Sequence, residues 1–366
     1  MNFVADLIPT LGVLGALILV HEFGHFIACR LTGVRVEKFS IGFGPEILHF
    51  QGKETRYAVS LLPFGGYVKP SGESVSEIGE AGLRPYDYLA ASVPKRIFIV
   101  SAGVGMNYLL SFVLFVTILL MGRPVALSKI GGFVEGYPAE KSGLERGDLI
   151  TSVAGVPVET WEELTRELSK ITGEEVELQA KRGVKSERIR TPVRVEPVQD
   201  IFGKTHRLPR IGILPDTSAQ RIEKLPFPLA LDEAFQTEVH LTLATYKAIF
   251  YLVTGRLSLK TVSGPLGIMA MTGSAVKMGW VYLLHLAAVL GISLAVINLL
   301  PIPALDGGHF VFLLIEAMRG RRLSLEFQER ATQVGFALLM ALMVFVLYND
   351  LVNLDVLGRL KAALSR

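Results

Sequence analysis

Residues 17–29 read LILVHEFGHFIAC, two histidines and a glutamate set in a run otherwise apolar enough for a membrane span. On a helix His21 and His25 lie four residues apart, one above the other on the same face, so their imidazoles converge on a single point. Glu22 stands about 100° further round the helix, near enough to take a proton from a water at that point without being a ligand itself. A glutamate left unpaired in lipid costs about 3 kcal/mol or more, so polar groups at this depth mark function and not packing. The stretch predicts a helix that crosses a membrane and supplies two ligands of a zinc site.

The composition agrees with a membrane protein. Of 366 residues 50% are hydrophobic and 19% charged, and the mean hydropathy of +0.44 is too high for an ordinary soluble enzyme. A net charge of +3 with scattered basic residues lacks the concentrated basic face of a nucleic-acid binder, so no nucleic-acid partner is expected. Cys29, the single cysteine, excludes an intrachain disulfide framework and a CxxC zinc site. The first 20 residues have no basic leading segment, and no small-residue cleavage site follows, so a retained span is expected there and not a removed signal peptide. Four stretches, roughly 3–29, 97–121, 281–300 and 333–352, reach the length of about 20 apolar residues that a crossing helix needs.

Charge sets the expected orientation. Residues 30–96 include Arg30, Arg35, Lys38, Lys53 and Arg56, while no Lys or Arg precedes Arg30. By the positive-inside rule that loop is cytoplasmic and the N-terminus outside. Arg319, Arg321, Arg322 and Arg330, between the third and fourth spans, fit the same alternation. Residues 122–222 are then extracytoplasmic, and their polar, strand-like runs with one helical pattern at 160–171 read as a separate small domain. Residues 229–255 are amphipathic in their first half, which favours an interfacial helix over a fifth span. In the cytoplasmic loop, alternating runs punctuated by Gly42, Gly44, Pro45, Gly65 and Gly66 predict hairpins or a small sheet.

A catalytic zinc usually takes three protein ligands, so a third buried polar group is required at membrane depth. The third span ends INLLPIPALDGGH (297–309), where Pro301 and Pro303 each remove a backbone donor and break the helix. Such a break survives in lipid only against protein or a water-filled cavity. Asp306 lies just past it, and Gly307 and Gly308 permit a sharp turn and close approach of backbone to a partner. Spacing alone favours Asp306 and leaves His309 as a competitor. Asn298 suits a hydrogen bond to a substrate backbone or to another helix.

HExxH in the first span together with NxxPxPxLDGG in a late one resembles the site-2 protease family of intramembrane zinc metalloproteases, in the order of parts of its bacterial RseP-like branch. The likeness extends through GFGP (42–45), FGGYVK (64–69) and SGPLGI (263–268), and so over nearly the whole chain. It implies Zn2+ held by His21, His25 and Asp306, with Glu22 as catalytic base and with Asn298, Pro301 and Pro303 as the family's asparagine and prolines. It leaves His309 and His285 to packing or to support of the ligands. Residues 134–158, VEGYPAEKSGLERGDLITSVAGVPV, resemble a PDZ domain of the permuted bacterial type. One such domain is present, where some RseP-like proteins carry two.

The expected architecture is a polytopic α-helical membrane protein of four transmembrane helices with a cytoplasmic, membrane-associated β-hairpin region and an extracytoplasmic PDZ domain. Its parts are 1–121, 122–222, 223–280 (an interfacial helical segment and an SGPLGI loop) and 281–366. The GFGP hairpin, with Gly42, Phe43 and Gly44, is a candidate edge strand for an extended substrate, which Asn298 would hold from the other side. The resemblance implies a multi-pass protein of the bacterial inner membrane that cuts single-span membrane proteins after a first cleavage outside, such as anti-sigma factors, and remnant signal peptides. The PDZ domain would bind peptide or filter by size, two readings the residues leave open. A metal transporter or a catalytically silent PDZ scaffold are the rival classes. The fourth span, VGFALLMALMVFVL (334–347), offers a transporter no polar path, and a scaffold has no use for Glu22.

Overall fold

The computed structural model describes residues 3–73, 82–199 and 205–353, so the parts of the expected domains at 74–81, 200–204 and 354–366 lie outside the described residues. The chain opens with helix α1 (Phe3–Thr32), strands β1 (Val36–Gln51) and β2 (Arg56–Pro70), and helix α2 (Val93–Met121). A second unit follows: β3 (Arg123–Ala126), β4 (Ile130–Phe133), β5 (Leu149–Val153), β6 (Val156–Pro157), α3 (Trp161–Ser169), β7 (Glu175–Arg182), β8 (Lys185–Pro192), β9 (Arg194–Gln199), β10 (Thr205–Arg210), β11 (Ile213–Pro215) and β12 (Gln220–Glu223). The chain then returns to helices α4 (Phe227–Val253), α5 (Pro265–Met278), α6 (Trp280–Asn298), α7 (Asp306–Arg319) and α8 (Leu325–Asn353). The first unit comprises residues 1–118, 230–252 and 258–366, and the second 119–229 and 253–257.

Among the described residues four helices are long and apolar enough to cross a membrane: 5–32, 93–121, 280–298 and 325–353. At 1.5 Å per residue each has the length for a hydrocarbon core of about 30 Å. The 229–255 stretch is helical as far as Val253, in α4, which buries Ala230, Ala234 and Glu238 at a spacing of four, one stripe of its surface. The SGPLGI run, expected as a loop, is helical from Pro265 onward, and α5 is an element that sequence reading missed. Its N-terminus is taken by the Asp350 carboxylate at the end of α8, which accepts from the N–H groups of Gly264 (2.9 Å), Leu266 (3.0 Å) and Gly267 (3.0 Å). Further along, α5 packs on α1, and a Cβ on Gly273 would lie 2.3 Å from Asp6 Oδ1.

The hairpin region forms a sheet from both long strands. Phe39 is paired with Val68 on one side and with Tyr57 on the other, Ile41 likewise with Gly66 and Val59, and residues 46–51 pair with 56–60. The segments therefore lie in the order 66–70, 36–41, 56–60, 46–51, with 66–70 at an edge. Gly42, Gly44 and Gly65 take φ of +88°, +87° and +107° where the strands bend, a conformation that side chains disfavour. The Phe43 ring sits over Gly65, where a Cβ would come within 2.2 Å of it.

The second unit is built around a four-stranded antiparallel sheet in the order β6-β5-β7-β8, with the pairs β3–β12, β4–β11 and β9–β10 beside it. Helix α3 begins with a capping box in which Thr160 and Glu163 satisfy each other's backbone N–H groups. It buries Leu164 and Leu168 against Ile150, Val153, Val176 and Leu178, each leucine contributing about 2 kcal/mol. Asp148 is fully buried and accepts from the Arg182 guanidinium at 2.8 Å through each of its two oxygens. Burial pushes its carboxyl up, but Arg182 and the Glu145 N–H outweigh burial and hold it below the usual range.

Candidate metal centre

The i, i+4 spacing on α1 brings His21 Nε2 and His25 Nε2 to 3.2 Å, and Asp306 Oδ2 lies 3.1 Å from the first and 3.4 Å from the second. Two ligands about 2.0 Å from a zinc ion at tetrahedral angles stand about 3.3 Å apart, so all three edges fit one zinc. Charge and proton placement agree. His25 Nδ1 lies 2.8 Å from the Ile99 carbonyl, which can only accept, so the proton is on Nδ1 and the Nε2 lone pair faces the centre. Asp306 Oδ2 is buried and makes no hydrogen bond. Lone pairs and a carboxylate oxygen held this close repel one another unless a cation lies between them. Among the described residues these three side chains form the group that could hold a metal ion.

Glycines permit the approach. Helix α2 meets α1 where Gly24 faces the Ala102 carbonyl, 2.4 Å from a would-be Cβ, and where a Cβ on Gly103 would lie 2.3 Å from His25 Nε2 and 2.8 Å from His21 Cε1. At Asp306 the segment between α6 and α7 folds back over the first turn of α7. A Cβ on Gly307 would stand 2.3 Å from the Leu300 carbonyl oxygen, and one on Gly308 the same distance from that of Ile302. The Pro303 carbonyl accepts from the Thr332 hydroxyl of α8 at 3.1 Å, which gives one group freed by the break a partner.

Glu22 accepts from the Val68 N–H at 3.1 Å, a donor on the outer side of the 66–70 edge. Gly66 keeps the strand close to its neighbour, since a Cβ there would lie 2.8 Å from the Ser40 carbonyl oxygen, and it would stand in ordinary contact with Glu22 Cγ at 3.4 Å. His21, Glu22, His25 and Asp306 share one cavity of about 810 Å³, walled also by Tyr67, Val68, Tyr88, Arg96, His309 and Gln328. Of the other residues singled out in the sequence, His309 lines this cavity and the rest do not. Asn298, Pro301 and Pro303 precede Asp306 outside the cavity wall, as do Gly42, Phe43 and Gly44. Phe43 reaches the wall only by stacking on Tyr67, ring centres 6.1 Å apart. The strand that walls the cavity is thus the 66–70 edge, while residues 36–41, which lead into GFGP, are paired on both sides. His285 packs on Phe115, ring centres 5.6 Å apart, away from the cavity wall.

Sequence reading missed Arg96 and Glu316, a buried bidentate pair (3.1 and 2.5 Å) that ties the start of α2 to α7. Their signal was present, since each is a charge at the end of an apolar run, and opposite charges at such positions are candidates for pairing.

The profile of peptidase family M50 matches residues 9–342. A Clostridium acetobutylicum protein, provisionally named a zinc metalloprotease, is 35% identical over 339 residues, which cover 92% of this chain and 95% of that one. Its Clostridium perfringens counterpart is 36% identical over 338 residues, 92% and 96% of the two chains. The zinc metalloprotease RasP of Shouchella clausii is 30% identical over 423 residues, 95% and 99%. Among solved structures, the PDZ domain of an SdrC-like protein from Listeria innocua aligns with 25% of this chain and 93% of its own at 28% identity, with a TM-score of 0.20.

Proposed function

The chain belongs to peptidase family M50, and we propose that it is an intramembrane zinc endopeptidase of the site-2 type, with His21, His25 and Asp306 as zinc ligands and Glu22 as the catalytic base. The observation that carries the reading is the convergence of three ligand atoms at 3.1–3.4 Å in the cavity that Glu22 also lines. Bound there, zinc supplies Lewis-acid polarisation of the scissile carbonyl and brings the pKa of water towards about 7. Glu22 takes the proton of the attacking water and delivers it to the leaving amine. The Val68 N–H holds its carboxylate by one oxygen, which orients the group.

A peptide bond in a transmembrane helix is shielded by its own hydrogen bonds, so the substrate must unwind, and its freed N–H and C=O groups need partners. The 66–70 edge is the partner nearest the centre, through addition of an extended segment to its backbone groups other than the Val68 N–H, which Glu22 occupies. Asn298, just before the Pro301 and Pro303 break, holds the substrate backbone from the other side. The substrates are single-span membrane proteins already trimmed outside the membrane, such as anti-sigma factors, and remnant signal peptides. The protein sits in the bacterial inner membrane with the 30–96 region cytoplasmic and the second unit, a PDZ domain, outside.

Glu22→Gln tests the mechanism. Zinc content should stay at the parent level, because all three ligands remain, while cleavage of a helical membrane peptide in detergent falls by about 100-fold or more. Normal turnover by a zinc-loaded Glu22→Gln protein would sink the proposal.

A further inference from the structure

Asn107 of α2 has no exposed surface. Its amide Nδ2 lies 3.3 Å from His21 Nδ1, and its Oδ1 is buried with no hydrogen-bond partner. If His21 offers the Nε2 lone pair to the centre, a neutral imidazole carries its proton on Nδ1. That N–H then faces a second donor while an acceptor on the same amide has nothing to accept. Turning the amide by 180° exchanges two ends of almost the same shape and resolves both conflicts, with Oδ1 accepting from His21 Nδ1–H.

The placement of Asn107 follows a pattern. Ile99, Gly103 and Asn107 succeed one another at a spacing of four and so share one face of α2. The Ile99 carbonyl accepts from His25 Nδ1, Gly103 leaves room for both rings, and Asn107 meets His21 Nδ1. The face thus offers one carbonyl-type acceptor to each imidazole, a backbone carbonyl for His25 and an amide side chain for His21. A buried amide side chain carries a desolvation cost that this bond offsets.

We infer that Asn107 is a positioning residue of the metal centre: its side-chain oxygen accepts from His21 Nδ1–H and so fixes the tautomer and ring orientation that present Nε2 to the metal. The inference rests on the proposed ligand role of His21. Groups in this position behind a metal-bound histidine commonly contribute 10- to 100-fold in metal affinity.

The test is zinc affinity of the purified full chain, read by competition with a chelator, independent of activity. Asn107→Leu, close in shape but without an acceptor, should bind zinc about 10- to 100-fold more weakly, whereas Asn107→Asp, which keeps the oxygen, should stay within a few-fold of the parent. Asn107→Ala, which cannot overpack, should weaken binding like Leu if the Leu variant fails to fold. In a His21→Ala background the Asn107 substitutions should cost nothing further. Parent-like affinity of the Leu or Ala variant would overturn the inference, as would an equal loss with and without His21. If His21→Ala itself leaves zinc affinity unchanged, the ligand reading fails and the inference with it. A drop for His21→Ala but not for Asn107→Leu or Asn107→Ala overturns the inference alone.

Discussion

The two imidazoles on α1 are separated from α2 by the space of one missing methyl group. A Cβ added at Gly103 would lie 2.3 Å from His25 Nε2 and 2.6 Å from Cε1, so it meets the ligand nitrogen itself and not the far end of a flexible chain. The ring has to move, and displacements of about 1 Å at a reacting centre cost on the order of 100-fold. Gly103→Ala should therefore lower zinc occupancy and activity together, while Gly105→Ala, where a Cβ meets nothing within 4 Å, leaves both intact; equal zinc content by elemental analysis in the two variants would refute this. The same residues mark how far a sequence can be read. The convergence of His21 and His25 was legible because helical geometry alone produces it. Gly103 and Asn107 were not, because their partners lie some 80 positions away and one glycine among apolar residues carries no signal of what it faces. Gly307 and Gly308 fall between: close approach of backbone was foreseen, and the partner is the chain's own 299–303 segment.

Among the elements, the spans were readable because hydropathy is local, whereas α5 was hidden because its start depends on a residue 84 positions beyond Leu266. Gly264 and Pro265 suggest a turn. The structure makes this turn a helix N-terminus, whose N–H groups and partial positive charge need an acceptor, and Asp350 supplies it. Glycine is required at 264 for the same reason, since its Cβ would lie 2.6 Å from Asp350 Oδ2. Asn349 adds a hydrogen bond from its Nδ2 to the Lys260 carbonyl at 3.0 Å, so the end of α8 is fastened to the segment that leads into α5. Asp350→Ala removes an acceptor of three buried or half-buried donors and should destabilise the protein by about 2–4 kcal/mol, with Asp350→Asn milder. The measurement is the thermal unfolding midpoint in detergent, together with protease sensitivity near residue 260. An unchanged midpoint for the Ala variant would show that α5 is started by its own sequence.

At the scale of the whole molecule, what was least legible is connectivity. The second unit takes residues 253–257 as well as 119–229, a discontinuity that composition cannot reveal, because five residues are too few to shift it. Sidedness is the reverse: it leaves no trace in packing, and the expectation of it rests on charge, through the basic residues of 30–96 and 319–330. The lone thiol makes it testable with little background, since Cys29 is fully buried at the end of α1. Two exposed positions suit introduced cysteines: Val184, fully exposed at the β7–β8 turn, and Lys53, between β1 and β2 beside the Arg30–Glu54 ion pair. In intact cells a membrane-impermeant thiol reagent should label Val184→Cys at once and Lys53→Cys only after permeabilisation. The opposite pattern would place the second unit in the cytoplasm. Trimming of substrates outside the cell could then no longer precede cleavage in the membrane on the side where that unit stands, and the two-step reading would fall while the metal centre, which does not depend on orientation, would remain.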